Sequence, residues 1–218
     1  MEIFTTLQKT IIHEIAKTRL KDIFFLTGGT ALSAFYLKHR LSEDLDFFTE
    51  IERSVVFVLP ELESICQRLD VKLRVSRHFE TFLEVFISSS SETIRCDFAI
   101  DSPYRLKPKE YKEEYDIYAD NCLDIACNKL SALFDRAEAK DFVDIYFLDK
   151  EFLPFIEILE EAKKKHIGLD EYWLAISFQK IDEIVKLPVM VKHLELEELK
   201  KFYRNMAIAL MKRIKDGR

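Results

Sequence analysis

Two aspartates two residues apart, Asp44 and Asp46, sit in the run Asp44-Leu45-Asp46-Phe47-Phe48. The alternation predicts a strand. Both carboxylates then point to one side, with Leu45 and Phe47 turned toward a core. Carboxylates held this close repel each other, and a divalent cation among them reverses that penalty. Magnesium takes hard oxygen ligands, commonly one or two carboxylates plus substrate phosphates. A pair of such ions can activate an attacking hydroxyl and stabilise a departing pyrophosphate. Asp97 lies in a second alternating run, Thr93-Ile94-Arg95-Cys96-Asp97-Phe98-Ala99, and is the candidate third ligand. An isolated pair of this kind is commonly a solvated surface feature, so its meaning depends on what surrounds it.

Upstream, Gly28-Gly29-Thr30 closes an apolar run, Ile23-Phe24-Phe25-Leu26-Thr27, and opens a helical pattern. Glycine lets backbone approach a phosphate closely. A helix start presents N–H groups to an anion. Thr30 is expected either to cap the helix or to give its hydroxyl to a phosphate oxygen. Neither a Walker A pattern nor a GxGxxG fingerprint occurs, which argues against a P-loop ATPase and a dinucleotide-binding fold.

A third cluster spans residues 129 to 145, KLSALFDRAEAKDFVDI. Lys129 and Arg136 share helical spacing, and Lys140, Asp141 and Asp144 follow on the next helical stretch. Lys129 and Arg136 are either salt-bridged surface residues or cations that reach across a cleft to a triphosphate. Lysine would supply a point charge and arginine a bidentate fork. Asp141 would fix one of these cations or touch the base or ribose.

The elements that must position these residues follow from the pattern. Residues 4–20 read as an amphipathic helix and 23–27 as a buried strand. A helix is expected over 30–38 and a strand over 44–48. Another helix follows at 59–69, then strands at 71–79, 81–87 and 93–100. Pro103 and Pro108 mark a connection. From Ile117 the pattern is almost wholly helical, with helices over 121–134, 139–148, 153–165, 170–184 and 196–214. The expected fold class is mixed α+β: a mixed lobe over 1–110, then a helical lobe over 111–218. The chain has 218 residues, four glycines and five prolines, a composition that disfavours sandwiches and propellers. The net charge of -6 shows no global basic excess for DNA binding. Basic residues still cluster at Arg105–Lys112, Lys163–Lys165 and Lys212–Arg218. The four cysteines lack CxxC spacing, which fits free thiols in a reducing compartment. The N-terminus lacks the apolar core of a signal peptide. No stretch approaches the ~20 apolar residues of a membrane span. A cytoplasmic location is expected.

Two blocks of the chain carry a resemblance. Residues 28–32, GGTAL, with 39–48, HRLSEDLDFF, resemble the first motif of the AbiEii/AbiGii-type nucleotidyltransferase toxins. Lys129, Leu130, Ala132, Leu133, Arg136, Lys140, Asp141 and Asp144 resemble that family's later motif, in the expected order. The family is related to the DNA polymerase beta-like nucleotidyltransferases, so the resemblance implies a nucleotidyltransferase-type mixed sheet with flanking helices and a helical C-terminal lobe. It implies magnesium, one or two ions, on Asp44, Asp46 and Asp97. It also implies a nucleoside triphosphate as co-substrate, held by Gly28, Gly29, Thr30, Ser42, Lys129 and Arg136, with Lys129 and Asp141 in the catalytic region. The broader superfamily commonly has glycine-serine where this chain has Gly29-Thr30. Some relatives transfer nucleotides to the tRNA 3′ end, as toxins of type IV toxin–antitoxin systems. An RNA acceptor and a cognate antitoxin encoded nearby are the implied partners. A protein hydroxyl, a small hydroxylated molecule, or nucleotide binding without catalysis are the competing expectations. His39 is expected either to touch the nucleotide or to cap and pack beside Arg40.

Overall fold

The computed structural model describes residues 2–102 and 104–217; Pro103 and Arg218, named above, lie outside them. The described chain divides into two compact units. One comprises residues up to Tyr36 together with Ser42–Asn121; the other comprises Leu37–Leu41 and the chain from Cys122 onward.

The first unit opens with α1 (Thr6–Ala16). Its start is fixed by a reciprocal cap: the Thr5 hydroxyl accepts from the Gln8 N–H, and the Gln8 side chain accepts from the Thr5 N–H. Leu7, Ile11, Ile12 and Ile15 form its buried stripe. The short α2 (Leu20–Ile23) leads into β1 (Phe25–Thr27). A tight turn at Gly28 starts α3 (Gly28–Ala31), which continues as a π-helical stretch over Leu32–Leu37. Then come β2 (Asp44–Thr49), a 3₁₀ turn (Ser54–Phe57) and α4 (Val58–Leu69). Pro60 is tolerated because the first helical turn makes no backbone N–H bond there. Strands β3 (Lys72–His78), β4 (Phe82–Ser88) and β5 (Thr93–Ile100) follow, then β6 (Glu110–Lys112) and β7 (Ile117–Ala119).

These strands build one mixed seven-stranded sheet in the order β3-β4-β5-β2-β1-β7-β6. The β2–β5 and β1–β7 pairs are parallel and the others antiparallel. Leu45 and Phe47 of β2, Cys96 and Phe98 of β5, and Leu83 and Val85 of β4 are buried on the face packed against helices. Phe47 and Phe98 stack with ring centroids 5.1 Å apart. The sequence pattern gave no strands beyond Ile100, yet β6 and β7 complete the sheet. Three residues each are too few for alternation to register.

The second unit is helical: α5 (Cys122–Asp135), α6 (Ala139–Glu151), α7 (Phe155–Lys165), α8 (Glu171–Gln179) and α9 (Leu196–Lys215). Its core gathers Phe142, Phe155, Phe178 and Tyr203, and the Tyr203 hydroxyl donates to the Phe142 carbonyl at 2.7 Å. The segment 37–41 joins this unit through an Arg40–Met190 bridge and a 2.8 Å bond from the Leu41 N–H to the Val189 carbonyl. Among the described residues, no helix is long and apolar enough to cross a membrane.

Candidate active site

The parallel register of β2 and β5 sets Asp46 directly beside Asp97, and Asp44 beside Arg95. Lateral neighbours share a face, so Asp44, Asp46 and Asp97 all project from the side opposite the Phe47–Phe98 core. On β4, Glu84 pairs with Asp97 and extends the acidic row; on β1, Thr27 pairs with Asp46 at its other end. Arginines interleave with the acids. Arg95 donates to Asp44 at 2.6 Å and lies 3.5 Å from Asp97. Arg77 of β3 holds Glu84 at 2.6 Å.

The electrostatics follow from this crowding. Burial raises the Asp97 carboxyl; Arg95 opposes the rise, but Asp46, Glu84 and Asp44 add to it, leaving it at about 6. Its buried Oδ1 has no hydrogen-bond partner. Glu84 moves the other way, to about 2, chiefly through its hydrogen bond from Arg77.

The glycine turn stands against this row. Gly28 has φ +72, and a Cβ built there would lie 2.0 Å from Asp46 Oδ2. Glycine is required at this position for its conformation and for the space. The helix begins at Gly28 with Thr27 at the cap position, so Thr30 falls inside the first turn rather than capping it. Thr30 is fully buried and its hydroxyl donates to the Asp44 carbonyl, tying the turn to the start of β2. The Ser42 carbonyl accepts from Gln8 at 2.9 Å.

The later motif lies in the second unit. Asp144 is fully buried and accepts from Lys129 at 2.8 Å, from Arg40 at 2.7 and 2.8 Å, and from His39 at 2.7 Å. Burial pushes Asp144 up, but Lys129, Arg40 and His39 outweigh it and hold the carboxyl well below the usual range. Asp141, also fully buried, takes two bonds from Arg136 at 2.8 and 2.9 Å and lies 4.0 Å from Lys129. Lys140 pairs with Glu138 at 3.2 Å. Burial drives His39 toward its neutral form, against the pull of Asp144. Its ring packs on Phe147 at 5.2 Å.

Sequence reasoning did not single out Arg95, Arg77, Glu84 or Asp120. Arg95 was findable, since it lies two residues before Asp97 in an alternating strand and must share its face. Asp120 is fully buried, accepts the Thr27 hydroxyl at 3.0 Å and pairs with Arg105. The basic run 105–112 is therefore engaged within its own unit: Arg105 also meets Glu50 at 3.2 Å, Lys109 meets Glu50 at 3.2 Å, and Lys112 meets Glu110 at 2.7 Å.

The donor chemistry of the acidic row suits a hard divalent cation: carboxylate oxygens on one rigid face, one of them buried and unbonded. Among the described residues, no three His, Cys, Asp or Glu side chains converge closely enough to enclose an ion. The Arg95 guanidinium occupies one oxygen of Asp44.

Comparison with known proteins gives the chain a family. The profile of the family described as "Nucleotidyl transferase AbiEii toxin, Type IV TA system" matches residues 11–212. The chain belongs to the AbiEii family. Its members are nucleotidyltransferases of toxin–antitoxin systems, and the family match takes in both the acidic row and the later motif. The Aquifex aeolicus (strain VF5) protein aq_aa25 is 30% identical over 173 residues, covering 75% of this chain and 76% of that protein. JHP933 from Helicobacter pylori shares the fold at TM-score 0.59 and 20% identity, covering 97% of this chain and 91% of its own. MenT4, the nucleotidyltransferase toxin Rv2826c of Mycobacterium tuberculosis H37Rv, shares it at TM-score 0.58 and 12% identity, covering 94% and 82%.

Proposed function

We propose that this AbiEii member transfers a nucleoside monophosphate from a nucleoside triphosphate to the 3′ hydroxyl of an RNA, in the first instance tRNA, as the toxin of a type IV-like pair. The observation that carries the reading is the lateral pairing of Asp46 with Asp97, with Gly28 packed against Asp46 and Asp44 on the same face. In this reading the protein works in the cytoplasm beside a cognate antitoxin encoded nearby.

Magnesium held by Asp44, Asp46 and Asp97 would supply positive charge for the triphosphate and acidify the attacking hydroxyl. The chain's own residues do the rest. The Gly28–Gly29 turn brings backbone within reach of the phosphates beside Asp46. Asp97 Oδ1 is buried and has no hydrogen-bond partner, so it can accept a hydrogen bond from the incoming hydroxyl. The 3′ oxygen forms its bond to the α-phosphorus as the bond to the bridging oxygen breaks. Pyrophosphate leaves with that electron pair, and the hydroxyl proton passes to Asp97 or water. The family resemblance makes Lys129 and Arg136 the proposed phosphate-binding cations of the later motif, held in the second unit by Asp144 and Asp141. Alignment and fixed charge supply most of the acceleration.

The test is direct. Purified protein, magnesium and total tRNA are incubated with each α-labelled nucleoside triphosphate, beside an Asp44→Ala/Asp46→Ala variant. Label in the tRNA band that the variant loses supports the proposal. Label on protein instead overturns the RNA acceptor and puts a protein hydroxyl in its place. Silence in both bands, with folded protein, overturns both macromolecular acceptors and leaves a small molecule.

A further inference from the structure

The edge of the sheet beside the acidic row carries three cations, two of them without a carboxylate partner among the described residues. Strand β3 is exposed along almost its whole length and has only β4 as a neighbour. Its register slips between Val75 and Arg77: Val75 pairs with Val85, Arg77 pairs with Glu84, and Ser76 is the extra residue. Residues three apart on a regular strand face opposite ways. The bulge cancels that alternation. Arg74, opposite Phe86, and Arg77, opposite Glu84, therefore both lie on the face of the carboxylates, and Lys72, opposite Ser88, joins them.

Two lateral rows then run from this edge into the site. One reads Arg77, Glu84, Asp97, Asp46; the other reads Arg74, Phe86, Arg95, Asp44. Arg77 is engaged by Glu84. Arg74 lies over the Phe86 ring, 4.3 Å from its centroid, and has no carboxylate partner among the described residues; nor does Lys72. Charged residues and a bulge also guard an edge strand against pairing with other chains. That role is satisfied by cations on either face. It does not account for all three lying on the face of the acids.

The geometry points to the β3 edge as the track for the phosphate backbone of a single-stranded RNA end, with Lys72 and Arg74 taking phosphates and the terminal hydroxyl reaching the carboxylates. This rests on the RNA-acceptor reading above and deepens it. Strands lie about 4.8 Å apart, so β3 stands about 10 Å from Asp97 and about 14 Å from Asp46. At about 3.4 Å of rise per stacked nucleotide, that distance spans the last three or four nucleotides. Carboxylates at the chemistry and cations one short step away suit a polyanion whose end must approach acids. Arginine on an aromatic ring also offers a flat face on which a base can stack.

The test measures binding of a short fluorescein-labelled single-stranded RNA by anisotropy across a salt series, with tRNA labelling assayed separately on the same proteins. Each phosphate neutralised contributes about 0.7 to the slope of log affinity against log salt for a single strand. The Lys72→Ala/Arg74→Ala variant is expected to lose about 1.4 from the slope and to bind about twentyfold more weakly near 0.1 M salt. Val75→Glu changes charge on the opposite face of the same strand and is expected to leave the slope unchanged. Arg74→Gln, which keeps most of the side chain, provides a milder variant should the double one melt early; its expected loss is about 0.7. Wild-type labelling of tRNA together with an unchanged slope in both Arg74 variants overturns the track and leaves the proposed function standing. Absence of tRNA labelling and of RNA binding in the wild type overturns both. A slope lowered equally by Val75→Glu also overturns the track, since the effect is then bulk charge. Transfer to a protein acceptor that falls with Lys72 and Arg74 overturns the choice of RNA.

Discussion

Replacing Gly28 with alanine separates the cost of conformation from the cost of lost geometry. At φ +72 an L residue sits in the left-handed region, a cost of about 1–2 kcal/mol. For a chain of this length that lowers the melting temperature by about 2–8 °C. The new Cβ would also lie 2.0 Å from Asp46 Oδ2, 2.8 Å from its carboxyl carbon and 3.1 Å from its Cβ, where ordinary contact begins at 3.4 Å. The carboxylate is the movable partner, so it rotates away. A displacement of about 1 Å at a reacting centre costs on the order of a hundredfold in rate. The expected result is a protein that melts slightly earlier and labels RNA about a hundredfold more slowly. The double variant Gly28→Ala/Asp46→Ala isolates the cause. If alanine acts by moving Asp46, the double variant is no slower than Asp46→Ala alone, a strong coupling in the cycle. Additive losses, or a Gly28→Ala protein with more than a third of wild-type activity, would refute the reasoning.

The remaining predictions concern single charges. Asp97→Asn is expected to abolish labelling, yet to stabilise the metal-free protein at pH 7. The folded pKa of about 6 exceeds the ordinary carboxyl value of 3.8, so the folded state binds more protons between them and wild-type stability falls as pH rises through that window. Melting curves at pH 4.5 and 7 check it, and an unchanged pH response in the variant would count against the burial argument. Arg95→Met should tighten magnesium binding measured by calorimetry without nucleotide, because the guanidinium that competes for Asp44 is gone; weaker binding would contradict that role. His39→Gln should reduce the loss of stability on acidification below about pH 6.5: burial lowers the folded His39 pKa, so the unfolded state binds the extra proton and stability falls as pH drops through 6.5. Denaturant titrations at pH 7 and 5.5 would show it, and equal losses in both proteins would refute it. Asp144→Ala should cost about 3–5 kcal/mol in denaturant unfolding, because it leaves the buried Lys129 and Arg40 without their shared carboxylate; a loss below about 1 kcal/mol would mean that water or another acid replaces it.

The parts of the fold legible in the sequence are those where period and burial agree. β2 alternates, so its inward residues Leu45 and Phe47 could be read, and the extents of β2, β4 and β5 were legible to within a residue. The side shared by Asp44 and Asp46 followed from the same rule. The pairing of Asp46 with Asp97 did not, because strand order and register are long-range choices with no local signature. The Ser76 bulge was equally hidden: one extra residue in an exposed strand leaves no mark on a pattern that is polar on both sides. Thr30 was misread as a possible cap because the helix starts two residues earlier, in the left-handed turn of Gly28. The other ligands of Asp144 were out of reach for another reason. Its motif placed Asp141 and Asp144 on the following helix, but Arg40 and His39 come from about ninety residues earlier and complete a shell around Asp144.

The reverse face of the same two strands explains how the acids can be held so close. Neighbouring carboxylates about 5 Å apart repel by about 3 kcal/mol at an effective dielectric of 20. Such a cost would splay two isolated strands. Here every second residue of β2 and β5 is an anchor: Leu45, Phe47, Cys96 and Phe98 are all essentially fully buried. Each large apolar side chain contributes about 1.5–3 kcal/mol on burial, so the anchors together outweigh the repulsion across the sheet. Arg95 and Arg77 reduce it further from within the row. Alternation thus does two jobs with one stretch of chain. The core residues fix the register that brings the acids together, and a divalent cation among them would relieve the repulsion that remains. Truncating Phe47 should therefore damage more than stability, because it removes the anchor next to Asp46 and stacked on Phe98, leaving Leu45 and the strand ladder to hold the pairing with Asp97.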